Sequence, residues 1–111
     1  MRSKVWLERD GRVALSEWRM ALLEAVEETG SLSHAADRMG VTYRTAWYKL
    51  KDIERSLGMK LLDTQSGGSE GGHSDLTPEA REILARFRRV TAGVSELLEA
   101  RFRAEFGEVL G

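Results

Sequence analysis

Hydrophobic positions recur at helical spacing in three stretches of this chain, and two other regions carry short apolar runs broken by turn residues. In the first helical stretch Leu15, Trp18, Leu22, Ala25 and Val26 recur at helical steps, with Leu23 widening the stripe and Ser16 available as a cap. They predict a helix from Ser16 to about Thr29 whose whole stripe, Trp18 included, lies in the core. In the second stretch Tyr43, Ala46, Leu50, Ile53 and Leu57 fall on one side when each residue advances by about 100°. The third begins at Thr77-Pro78-Glu79, a cap followed by proline at the first helical position and an acid in the first turn. Ile83, Phe87, Val90, Val94 and Leu97 then alternate by four and three residues, the spacing of an interhelical seam, on a helix predicted over 77–110. Arg101 falls on that seam, which shifts to Leu98, Phe102, Phe106 and Val109; such a shift bends or unwinds the pairing locally.

The strand-like regions are hairpins. Lys4 to Glu8 and Val13 to Leu15 flank Arg9-Asp10-Gly11-Arg12, and Asp-Gly between apolar stretches is a strong hairpin signal. Met59 to Thr64 and His73 to Leu76 flank a loop, Gln65 to Gly72, that holds four glycines in eight residues. At 111 residues the chain is one domain by length. The expected division is a hairpin at 4–15, a three-helix core at 16–57, a second hairpin at 59–76 and the long helix at 77–110. The fold class is mainly α with a small β component.

Between Gly30 and Leu57 the punctuation is dense. Ser31 or Ser33 caps a short helix around Ala35-Ala36, Gly40 ends it, and Val41 fills the turn. Thr42 caps the next helix and Gly58 stops it. Paired alanines let two helices approach closely, and the glycine lets the backbone swing sharply. This is the pattern of a helix-turn-helix, whose second helix commonly enters the major groove of DNA. The outward side of that helix carries Arg44, Thr45, Tyr48, Asp52 and Arg55, with Lys49 at its margin; from Thr42 to Lys51 there are three basic residues and no acidic one. Arginine pairs with guanine through two hydrogen bonds, threonine meets a thymine methyl or a phosphate, and tyrosine and lysine hold phosphates. The candidate DNA contacts are therefore Ser31, Ser33, Thr42, Tyr43, Arg44, Thr45, Tyr48 and Lys49. Ser66, Gly67 and Gly68 of the glycine-rich loop join them, because its amides can follow a phosphate backbone.

Charge sharpens this picture. The net value is −1, low for a nucleic-acid binder, but residues 30–60 carry six Lys or Arg against three Asp or Glu. Residues 61–111 carry six against nine. Phosphate attraction follows the local field more than the total.

Gly30-Ser31-Leu32-Ser33-His34-Ala35-Ala36, then Gly40-Val41-Thr42-Tyr43-Arg44-Thr45-Ala46-Trp47, resembles the DNA-binding domain of the ModE family of molybdenum-responsive regulators. The likeness continues through Gly67-Gly68, Gly71-Gly72 and Leu76-Thr77, and covers roughly residues 12 to 90. Ala35-Ala36, Leu57-Gly58 and Leu76-Thr77-Pro78-Glu79-Ala80 are similar, more weakly, to the N-terminal domain of LysR-type regulators. Both resemblances imply a winged helix-turn-helix, with the second hairpin as the wing and the long C-terminal helix forming a dimer. In the ModE family the oxyanion is held by a separate C-terminal domain, to which no residue here corresponds. Molybdate is not expected to bind within this chain, and no effector is named by its sequence.

Other chemistries find little support. There is no cysteine for disulfides or thiolate metal sites, and His34 and His73 lack ligand spacing to a second His or Cys. Ser31 and Ser33 are explained as caps and Glu27-Glu28 as a solvated helix end, so neither catalysis, nor a metal, nor a cofactor is expected. The glycine-rich loop lacks the lysine and spacing of a P-loop. Apolar runs are too short for a membrane span, and Met1 to Leu7 lacks the apolar stretch of a signal peptide, which points to the cytoplasm. A helix as long as 77–110 exceeds what so small a domain can bury, so its partner is expected to be the same helix of a second chain, through Ile83, Phe87, Val90, Val94, Leu97 and Phe102. The expected function is a dimeric, sequence-specific regulator binding double-stranded DNA. The alternatives are a winged-helix protein-interaction module without DNA binding, or a small-anion sensor using Arg101.

Overall fold

The computed structural model describes residues 3–65 and 73–110. Strand β1 (Trp6–Arg9) pairs antiparallel with β2 (Arg12–Ser16). Asp10 and Gly11 form the connection, both at positive φ (54° and 79°), as a two-residue turn matched to strand twist requires. The register shifts after Leu7, which leaves Ala14 as the extra residue of a bulge and buries it.

Helices α1 (Glu17–Thr29), α2 (Leu32–Met39) and α3 (Tyr43–Leu57) follow. Each is capped by a side chain that accepts from the amide three residues on: Ser16 from Arg19, Ser31 from His34, Thr42 from Thr45. Ser31, not Ser33, is thus the cap of α2. Gly30, Gly40 and Gly58 close the three helices in the left-handed region. Strands β3 (Leu62–Gln65) and β4 (His73–Leu76) form the second hairpin, and Ser66, Gly67 and Gly68 lie outside the described residues.

The core is built from Met20, Leu22, Leu23 and Val26 of α1, the paired alanines of α2, and Ala46, Leu50 and Ile53 of α3. Leu61, Leu62 and Leu76 close it from the wing side. Helix α4 (Pro78–Thr91) adds Ala80, Leu84 and Phe87. Its cap, Thr77, is itself buried: the hydroxyl accepts from Ala80 and donates to the Lys60 carbonyl at 2.8 Å, which locks the helix to the wing. Helix α5 (Val94–Leu110) has no buried residue and contributes to the molecule's long dimension of 60 Å.

The expectations for Trp18, the continuous C-terminal helix, its Ile83–Phe87 stretch and the start of the wing strand are corrected. Trp18 is 36% exposed rather than core; it lies over a groove with Val5, Trp6 and Ala21, because the first turn of α1 abuts the hairpin instead of the helices. Tyr43, placed by its spacing on the apolar side of α3, is 55% exposed and so open to the DNA contact expected of it. The C-terminal helical region is present but interrupted: Gly93 adopts φ 77°, which separates α4 from α5 and removes the single continuous seam. Ile83 packs against the chain's own core and Phe87 lies within it at 5% exposed, so Phe87 has no surface left to give a second copy. The wing strand also starts later than Met59. Glu54 intervenes: its carbonyl accepts from Met59, and its carboxylate accepts from the Leu61 amide at 2.7 Å.

Candidate nucleic-acid interface

Helix α3 presents its outer face because its inner face is consumed by the core. Ala46, Leu50 and Ile53 are buried, and Arg44, Thr45, Tyr48 and Lys49 are exposed. Within that face the side chains support one another. The Arg44 guanidinium lies 5.7 Å from the centre of the Tyr48 ring, and Tyr48 packs edge-on against Trp47 with centroids 5.3 Å apart. Lys51 lies 5.6 Å over Trp47 on the other side and reaches Glu54 at 3.1 Å. These cation–aromatic contacts keep long side chains extended along the surface while leaving their donors in solvent.

Thr42 has a different role. Its hydroxyl accepts from the Thr45 amide at 3.1 Å and donates to the Thr45 hydroxyl at 3.0 Å, so it sets the start of α3. Ser31 likewise spends its oxygen on the cap of α2, while Ser33 and His34 are exposed on that helix. The structure gathers Tyr43, Arg44, Thr45, Tyr48 and Lys49 on one helix, with Ser31 and Ser33 on its neighbour.

Trp47 was not among the residues singled out from the sequence. It is 41% exposed and, with Tyr43, Lys51, Lys60 and Thr64, lines the groove between α3 and the wing. The Ala46-Trp47 pair in the family-like motif was its only signal, since helical angle alone places it between the two faces.

Electrostatics isolate this surface. Three acids of α1 are neutralised from neighbouring helices: Glu24 by Arg88 at 3.0 Å, Glu27 by Arg81 at 3.3 Å, and Glu28 by Arg38. Asp52, the acid on the outer side of α3, is held by Arg19 at 2.6 Å. Among the described residues, the cations with no carboxylate within 4.0 Å are Lys4, Arg9, Arg12, Arg44, Lys49 and Arg101. Two of them lie on the outer face of α3. Among the described residues no group of three or more His, Cys, Asp or Glu side chains is placed to hold a metal ion.

Residues 18–81 match the family of bacterial regulatory helix-turn-helix proteins of the lysR family. The chain belongs to that family. The matched span takes in α1 to the start of α4, and so contains the whole surface just described. Among individual relatives, the molybdenum-pterin-binding protein MopB of Rhodobacter capsulatus is 36% identical over 96 residues, covering 86% of this chain and 35% of MopB. The molybdenum transport protein ModE of Azotobacter vinelandii is 31% identical over 109 residues, 98% of this chain and 40% of that protein. The chain thus spans about a third of the length of these relatives. In structure it is similar to the crystal structure of the CbnR DBD–DNA complex, with a TM-score of 0.60 and 26% identity over 80% of this chain and 97% of that one.

Proposed function

We propose that this lysR-family chain binds double-stranded DNA in a sequence-specific manner, as a homodimer, and regulates transcription. The observation that carries the proposal is the outer face of α3. It holds Arg44 and Lys49, which have no carboxylate within 4.0 Å among the described residues, beside exposed Tyr43, Trp47 and Tyr48, on a helix whose other face is locked into the core. Arg44 and Thr45 stand in the first turn, where a recognition helix meets base edges, and Tyr48 and Lys49 stand one turn on, where they meet phosphates. Ser31 and Ser33 on α2 supply hydroxyls for further phosphate contacts, and Ser66, Gly67 and Gly68, outside the described residues, are proposed contacts on sequence grounds alone. The likeness to a lysR-type domain crystallised with DNA supports this orientation.

Dimerisation is assigned to α5, through Val94, Leu98, Phe102, Phe106 and Val109, which fall on one side of an unbroken helix. Val90 and Leu97, 56% and 52% exposed, border it. One reading helix touches few base pairs; two related by a two-fold axis require half-sites about 34 Å apart. No helix among the described residues is long and apolar enough to cross a membrane, and a cytoplasmic location goes with the DNA partner proposed here. The molybdenum in the names of MopB and ModE concerns proteins of which this segment is about a third, so the proposal covers DNA and not molybdate.

Selection of bound duplexes from a random pool at stated salt tests the function. A recovered, roughly palindromic consensus supports it. Recovery of no preferred sequence, with binding no tighter than to bulk DNA, refutes it.

A further inference from the structure

The N-terminal hairpin lies outside the residues that match the family, yet it holds two of the free cations of the described structure, Arg9 and Arg12. They face each other across the two-residue turn as direct cross-strand partners. Like charges in that position repel, and neither has a carboxylate within 4.0 Å among the described residues. Arg9, Asp10 and Arg12 line one recess with Arg55 and Ser56, at the C-terminal end of α3. Arg55 is 73% exposed and reaches Asp52 only at 3.9 Å, while Asp52 is held closely by Arg19. The recess therefore carries three arginines against Asp10, a charge arrangement that an anion would relieve.

Its position names the anion. Arg55 comes eleven residues after Arg44, which at about 100° per residue returns it to within about 20° of the same direction, roughly 16 Å further along the axis. The major groove is about 12 Å wide. With the first turns of α3 in the groove, the last turn lies over the backbone that borders it. We propose that Arg9 and Arg12 of the hairpin, with Arg55, form a phosphate clamp that grips the DNA backbone at the end of α3 opposite its capped start. The clamp adds affinity without reading sequence. It rests on the DNA-binding function proposed above, and an open, exposed recess suits a passing backbone better than a captured free ion.

The test compares the full chain with the double variant Arg9→Gln/Arg12→Gln and the charge-preserving Arg9→Lys/Arg12→Lys. Two duplexes of equal length are used, one recovered by selection and one of unrelated sequence, each titrated across a range of salt. Each lost phosphate contact lowers the slope of log affinity against log salt by about 0.9. In the proposed dimer two contacts are lost from each copy, four in all, so the advantage of the original protein over the glutamine variant shrinks about 150-fold as salt rises from about 0.05 to 0.2 M. The same loss is expected on both duplexes, base preference is unchanged, and the lysine variant recovers most of the slope. Circular dichroism confirms that the variants are folded. An unchanged slope in a folded glutamine variant overturns the clamp alone, as does a loss confined to the selected duplex with altered base preference. Failure of the original protein to bind either duplex overturns the DNA-binding function and the clamp with it.

Discussion

Replacing Leu98 and Phe106 together by glutamate should separate two copies of this protein without unfolding either. Both lie on the stripe formed by Val94, Leu98, Phe102, Phe106 and Val109, and they are 45% and 48% exposed in the single chain. Phe106 stacks on Phe102 with centroids 5.3 Å apart, so the two rings form one apolar surface. Full burial of such a side chain is worth about 1.5–3 kcal/mol. With about half of each surface still to be covered, each residue offers a partner about 0.7–1.5 kcal/mol. Two residues in two copies then supply about 3–6 kcal/mol of the association energy. At about 1.4 kcal/mol per decade, their loss raises the dimer dissociation constant by about a hundredfold to ten-thousandfold, before repulsion among the added carboxylates. Sedimentation equilibrium over a concentration series measures this directly. Because α5 buries none of its residues in the domain, the thermal transition of the isolated domain should be unchanged. DNA affinity should fall on a duplex with two half-sites and hold on a duplex with one. An original protein that is monomeric at tens of micromolar, or a variant with an unaltered dissociation constant, would show that α5 is not the dimer contact.

Arg44→Ala should lower affinity for the selected duplex by about 1–3 kcal/mol and relax preference at one base position. A binding titration with unchanged affinity and preference removes Arg44 from base reading. Gly30→Ala should destabilise the fold more than Gly40→Ala. Both residues are left-handed, at φ 76° and 71°, a cost of about 1–2 kcal/mol for alanine, but a Cβ on Gly30 would also meet His73 Cε1 at 3.0 Å, where Gly30 accepts from the Ser74 amide. Equal melting temperatures for the two variants would contradict this. Arg86→Gln should raise the Glu82 titration midpoint. In the folded protein the hydrogen bond and charge of Arg86 hold that carboxyl below its ordinary value. The small stabilisation it gives is present above the ordinary carboxylate pKa and fades as pH falls through the lowered one. NMR detection of the Glu82 carboxyl against pH reads the midpoint, and no movement would refute the assignment.

What was legible in the sequence was local. The cap at Thr42, the cap of α2 to within Ser31 or Ser33, the stops at Gly40 and Gly58 and the Asp-Gly turn each depend on a side chain and the backbone within a few residues of it. Periodicity likewise found the buried face of α3, because Ala46, Leu50 and Ile53 meet α1 and α2 regardless of what lies beyond. What was illegible depends on distant partners. Trp18 has the spacing of a core residue, and only the fold of the hairpin against α1 shows that its turn faces a groove. Glu54 looks like a surface acid on an amphipathic helix, yet it receives the Leu61 amide and so decides where the wing begins. Gly93 sits inside a stretch with good helical spacing on both sides, and a single glycine in such a stretch does not by itself announce a left-handed break. Missing that break joined Ile83 and Phe87, which pack in the chain's own core, to the exposed apolar positions of α5.

The near-neutral charge, an objection to DNA binding when read as a sum, changes meaning once the pairs are known. Glu24, Glu27 and Glu28 supply half the acids of the first 29 residues, and all three are matched by arginines of α2 and α4. Exposed pairs of this kind add little stability, with a typical worth of about 0–1 kcal/mol each. Their effect on the field is larger. They cancel charge on α1, α2 and α4, while Arg44 and Lys49 on the outer face of α3 have no carboxylate within 4.0 Å among the described residues. A surface built in this way attracts phosphate over a short range set by the Debye length, about 8–10 Å at physiological salt. It does so without the non-specific adhesion that a uniformly basic protein would show. Helix α5 is acidic on balance, with Glu96, Glu99, Glu105 and Glu108 against Arg101 and Arg103, so it does not compete with the outer face of α3 for phosphate.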